Sequence, residues 1–140
     1  MINKKIIIGL LIAAFLQSAV AQSPIPPLSC TYMWRNDGMR TSVDVTVVGA
    51  TLTAKRSDSE TSWTQVFPSS ETSGLVFQPP VFNSSMISFC YLGLRGNVEL
   101  YKRCTEIDRR TGEIEFVLYG DSSRKVAATG TCSSTPTNKF

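Results

Sequence analysis

Along much of the chain, apolar and polar residues alternate with a period of two. Val43, Val45 and Val47 alternate with Asp44 and Thr46 before Gly49; Cys30, Tyr32 and Trp34 alternate with Thr31 and Met33 before the turn-rich Asn36, Asp37 and Gly38. Such a period puts successive side chains on opposite faces of a strand that is wet on one side. Further short strands are expected over 51–56, 62–67, 75–77, 86–94, 98–104, 113–119 and 125–132. Pro79 and Pro80 stop the 75–77 strand, because proline cannot donate to a ladder. No apolar stripe at helical spacing runs long enough to form a helix. About eight or nine short strands with regular turns predict an all-β fold, a single small antiparallel barrel or sandwich.

The first 21 residues follow another pattern. Lys4 and Lys5 precede an apolar run over 6–16, which closes on Ala19, Val20 and Ala21, the order of a cleavable secretory signal peptide. Gln17 and Ser18 interrupt the run before it reaches the roughly 20 apolar residues a membrane span needs. The expected organisation is a signal peptide over 1–21, a Pro-rich leader over 22–29, a β domain over 30–132 and a flexible tail over 133–140. The destination is then secreted or periplasmic.

Removing the leader changes the electrostatics. Two of the 14 basic side chains, Lys4 and Lys5, leave with it, so 12 face 11 acidic ones and the apparent net charge of +3 falls to +1. A near-neutral chain has no long-range pull toward nucleic acid or an anionic membrane. Membrane insertion as a barrel is also unexpected, since Pro136 and Asn138 break the alternation of the last segment and several strands are short.

Four cysteines, Cys30, Cys90, Cys104 and Cys132, in an exported domain predict disulfides. Cys90 and Cys104 flank an apparent hairpin around Gly96 and Asn97. If they face each other, Leu94 opposes Leu100, Arg95 opposes Glu99, and a three-residue loop joins the strands. Cys30 would then pair with Cys132 and tie the first strand to the last, although four cysteines allow two other connectivities. With no histidine and no pair separated by two residues, neither a metal nor a cofactor is expected.

The missing histidine also removes Ser-His-Asp and Cys-His catalysis, and no catalytic residue is assigned. A carboxylate-dependent hydrolase would need a cleft holding two of Glu99, Glu106, Asp108, Glu113 and Glu115. Basic residues occur in pairs: Lys55 with Arg56, Lys102 with Arg103, Arg109 with Arg110, and Arg124 with Lys125. In a simple meander the first three pairs gather at one end as a possible partner-binding rim, nearly cancelled there by Asp37, Asp58, Glu60, Glu106 and Asp108. Trp34, Trp63, Phe67, Phe89, Phe116 and Tyr119 are candidates either to line a pocket or to fill the core.

In general design the chain resembles the small periplasmic barrels that inhibit lysozymes. Of their Ser-Gly-rich loop leading to a Tyr it keeps only Ser73 and Gly74 followed by Phe77, and no site residue is carried over. The expected function is a soluble binding module without catalytic activity, of inhibitor or immunity type, acting on a protein or glycan outside the cytoplasm. A structural or adhesive accessory of a cell surface or secretion apparatus is the alternative.

Overall fold

The computed structural model describes residues 25–70 and 74–134; the expected signal peptide and residues 135–140 of the expected tail lie outside them. Eleven strands follow in order: β1 (Leu28–Trp34), β2 (Arg40–Val48), β3 (Thr51–Ser57), β4 (Ser62–Phe67), β5 (Ser69–Ser70), β6 (Leu75–Phe77), β7 (Val81–Phe82), β8 (Met86–Arg95), β9 (Val98–Asp108), β10 (Glu113–Tyr119) and β11 (Arg124–Ser134). They form one sheet, β4-β3-β2-β1-β11-β10-β9-β8-β6-β5, with β7 added on β8. Nine of them curl into a nearly closed antiparallel barrel. β1 begins and β11 ends two residues beyond the expected domain limits, because Leu28 and Ser134 pair with each other.

The alternation in the sequence is what closes this sheet. In β2, Thr41, Val43 and Val45 are buried while Ser42, Asp44 and Thr46 are exposed. Leu52, Ala54 and Arg56 are the buried set of β3. Across the seam between β4 and β6 no backbone ladder runs, and aromatic packing replaces it: the Phe67 ring meets Phe77 at 5.0 Å and Phe89 at 5.1 Å, both edge-on. Loops 35–39, 58–61, 96–97 and 120–123 lie at one end of the barrel, here the upper end; loops 49–50, 83–85 and 109–112 lie at the lower end.

One buried position carries charge. Arg56 is 3% exposed. Its guanidinium donates to Gln65 Oε1 on β4 at 2.7 Å, Tyr32 Oη on β1 at 2.9 Å and Thr105 Oγ1 on β9 at 2.8 Å. It also lies 5.6 Å from the Phe89 ring centroid and 5.8 Å from that of Phe116. Three oxygen acceptors and two ring faces stand where a carboxylate would be expected.

Both disulfides form between directly opposed residues, Cys30 with Cys132 and Cys90 with Cys104, as expected. Bonded cysteines fit an oxidising, extracytoplasmic setting. The hairpin between Cys90 and Cys104 departs from expectation near its tip. The predicted register holds as far as Gly93 opposite Tyr101, then shifts by one, so that Leu94 opposes Glu99 and Arg95 opposes Val98. Leu100 is the extra residue of a bulge, and the loop shrinks to Gly96 and Asn97. Gly96 has φ +61° in the first central position of a two-residue hairpin turn, where glycine is favoured. Gly93 explains the shift, since a Cβ there would collide with the Tyr101 ring lying over it.

Replacing Cys30 and Cys132 by Ser should cost more stability than replacing Cys90 and Cys104, because the sequence separations are 102 and 14 residues. On the chain-entropy relation this is about 4 to 5 against about 3 kcal/mol, read as the two drops in Tm; the reverse order would contradict it. Arg56→Lys should lose about 2 to 4 kcal/mol in urea unfolding, since one point donor replaces a fork that reaches three acceptors. An unchanged urea midpoint would show that the fork is dispensable.

Candidate functional site

The structure disperses the basic residues expected to form a rim. Arg56 is inside the barrel and unavailable to a partner, whereas Lys55, its neighbour, is exposed on the outer face. Lys102 also faces outward, with its Nζ 5.6 Å from the Tyr119 ring centroid. Arg109 and Arg110 are at the lower end, away from the loop that follows Lys55 and Arg56. Arg109 donates to the Asn83 carbonyl at 2.7 Å, and Arg110 lies 3.7 Å from Asp108. The cause is β5. This two-residue strand adds one chain reversal, so β4 and β6 run the same way and every later loop falls at the opposite end from that expected of a simple meander.

The carboxylates do converge. A groove of about 340 Å³ on the outer face is lined by Glu106, Asp108, Glu113 and Glu115 with Arg110, and Glu99 lies outside it. One nitrogen of Arg124 donates to both Glu106 Oε2, at 2.8 Å, and Glu115 Oε2, at 2.6 Å, while the Tyr119 hydroxyl donates to Glu106 Oε1. In register, Glu106 and Glu115 form one row, Cys104 and Val117 the next, and Lys102 and Tyr119 the third. The Tyr119 bond therefore spans the middle row, and Cys104 and Val117 are buried although they face outward. Burial first, and then the bond to Glu106, push the Tyr119 phenol above its ordinary range. The bonds to Glu106 and Glu115 reinforce the Arg124 charge. The Arg110 backbone N–H, more than any other neighbour, holds Asp108 below the usual carboxylate range. For Asp108 this favours the charged form, whereas a hydrolytic acid must hold a proton near neutral pH. Among the described residues, no group of three or more His, Cys, Asp or Glu side chains is placed to hold a metal ion.

The upper end has the opposite character. Following the registers from the buried positions, the inward-facing charges of the barrel wall among the described residues are Arg56, Arg103 and Lys125, all cationic. Asp44, Glu106, Asp108, Glu113 and Glu115 face outward, and Glu99 is on the hairpin tip. Arg103 lies 4.5 Å from the Tyr101 ring centroid, and Lys125 opposes Leu118. A bulge between Phe116 and Val117 leaves Ala127 without a partner on β10. At that point a depression of about 660 Å³ is lined by Trp34, Arg35, Asn36, Leu118, Arg124, Lys125, Val126 and Ala127.

Trp34 is fixed in this depression. Its Nε1–H donates to Thr41 Oγ1 at 3.0 Å, and its ring meets Phe116 at 5.0 Å and Tyr32 at 5.6 Å, both edge-on. The remaining candidate aromatics divide: Phe67, Phe89 and Phe116 are core, Trp63 is 39% exposed, and Tyr119 is on the outer face. Sequence reasoning had Trp34 among its candidate aromatics and noted Lys125 only as a basic pair with Arg124 outside the expected rim; it missed Arg35, and it missed that the Ala127 bulge brings the three together. Nothing in the alternation marks a bulge of this kind. No family model, curated protein or solved structure matches this chain.

The raised Tyr119 value has a signed consequence. Its contribution to stability is complete below the ordinary phenol range near 10 and is lost as pH rises through the higher folded value. Tyr119→Phe should remove a phenolic component that titrates above the ordinary range in an alkaline absorbance titration and soften the alkaline fall in stability. A late component that persists in Tyr119→Phe would assign it to another tyrosine.

Proposed function

We propose that this chain is a soluble, non-catalytic binding module, secreted or periplasmic and of inhibitor type, which meets its partner with the upper mouth of the barrel. The observation that carries the reading is the segregation of charge at that mouth. Side chains fill the interior, and among the described residues the inward-facing charges of the wall have one sign. A preset aromatic ring stands beside them. Rigid scaffolds with binding groups at one end of a stapled β structure lose little conformational freedom on association.

The test compares two double charge reversals in the mature protein: Arg35→Glu with Lys125→Glu at the upper end, and Arg109→Glu with Arg110→Glu at the lower end. Each is immobilised and exposed to extracytoplasmic extract, and the stoichiometry of whatever is retained is measured. The expected result is a 1:1 complex with the parent and the lower variant, lost with the upper one. Equal retention by all three would overturn the assignment of the mouth. Polymerisation of the chain itself at native concentration would overturn the reading in favour of a structural accessory.

A further inference from the structure

We infer that the depression around Trp34 is a subsite for an acidic sugar, a uronate ring whose carboxylate meets Arg35 and Lys125 while its apolar face lies on the indole. This deepens the binding-module reading and rests on it. The site is assembled by backbone structure before any ligand arrives. The carbonyl of the bulged Ala127 accepts the Arg35 N–H at 2.9 Å, which anchors the first residue of loop 35–39 beside β11. Lys125, opposite Leu118, projects from the same stretch of β11. Trp34 ends β1 opposite Ala128, held by Thr41, Phe116 and Tyr32.

The charges determine the sign of the ligand. No carboxylate lines the depression among the described residues. Arg124 also lines it, but its charge is shared with Glu106 and Glu115 on the outer face. Arg35 and Lys125 have no ion-pair partner among the described residues, so they supply the attraction. With a volume of about 660 Å³ the depression falls in the range of ordinary small-ligand sites.

The wall determines the rest. Trp34, Leu118, Val126 and Ala127 offer apolar surface that a bare inorganic anion would leave unused. An acidic peptide cannot dock here by strand addition, the mode that an unpaired sheet edge allows. Here β1 is paired with β11 from Leu28 opposite Ser134 to Trp34 opposite Ala128, and β11 is paired with β10 on its other side. A sugar ring needs no backbone partner. Its C–H face packs on an aromatic ring, and a carboxylate on C6 extends from the ring edge toward a cation.

The experiment titrates the mature chain carrying Trp63→Phe, so that fluorescence reports Trp34 alone, since the chain has two tryptophans. The probes are an oligogalacturonate, a neutral glucose oligomer of equal length and a heparin-derived oligosaccharide. A saturable Trp34 signal is expected with oligogalacturonate, with at least about tenfold weaker binding of the neutral oligomer. Lys125→Glu with Arg35→Glu should abolish that signal. Trp34→Phe, which keeps an aromatic ring in the core contacts, should weaken binding by a few-fold, and Trp34→Ala by about tenfold or more, read calorimetrically. Equal binding of the neutral oligomer would overturn the role of charge. Heparin binding tighter than oligogalacturonate and indifferent to both Trp34 variants would show charge attraction alone and overturn the subsite. If no sugar binds while the upper charge reversal still abolishes 1:1 partner retention, the sugar is wrong and the binding module stands. If that reversal changes neither, both readings fall.

Discussion

Arg56 is the constraint on which the barrel depends. The sheet is a ring with a gap, since β4 and β6 share no ladder, and an open sheet of this length needs something to set its curvature. One guanidinium growing from β3 reaches β4, β1 and β9, the last of these on the far wall. A hydrophobic side chain of the same size would fill the space without specifying which strands face each other, whereas the planar fork has fixed directions. The interior must therefore accommodate a buried positive charge. It does so with the phenol of Tyr32, the amide of Gln65, the hydroxyl of Thr105 and the faces of Phe89 and Phe116. Each acceptor is neutral, so the charge is solvated by the protein and remains uncancelled.

The disulfides act on a different part of the same problem. The strut joins walls in the folded state, while the two cystines restrict the unfolded chain and hold neighbouring strands in register. Cys30 with Cys132 joins the first and last strands, which are adjacent in the ring but have no short connection. Cys90 with Cys104 pins the longest hairpin below the point where its register slips at Gly93. Covalent and polar devices thus serve the two places where alternation alone leaves freedom: the junction of the chain ends, and the hairpin whose tip stands beyond its neighbour β10.

How much of this could be read from the residues follows from what alternation encodes. Period-two patterning located β8, β10 and β11 closely, and the register set by facing Cys90 with Cys104 matched the ladder of β8 with β9 up to Gly93. The position of Arg56 was also available, because it shares parity with Leu52 and Ala54, but charge suggested surface and outweighed parity. Two features carried no such signal. β5 has only two residues and a Ser-Ser sequence common in loops, yet it reverses the direction of the chain and moves Arg109 and Arg110 to the other end. The bulge at Ala127 interrupts a run of small residues whose two faces look alike in sequence, so its effect on Lys125 emerges only from the pairing with β10.

Those two local events decide what the net charge alone conceals. Alternation alone would mix the signs, since each strand would place its acids and bases outward. In the folded barrel the acids keep to the outer face, where Arg124 and the turn amides hold them, while Arg56, Arg103 and Lys125 turn inward and Arg35 joins them at the rim. Opposite charges are separated by the barrel wall, and low-dielectric walls concentrate the field of a one-sign cleft. At physiological ionic strength the Debye length is about 8 Å, so such a field acts only on a group already at the mouth. On the proposed reading, recognition by this end is a matter of contact, in which a fixed ring selects shape and the cations beside it select sign. A one-sign cleft of this kind can therefore distinguish a charged ligand from its neutral counterpart whatever the net charge of the whole chain.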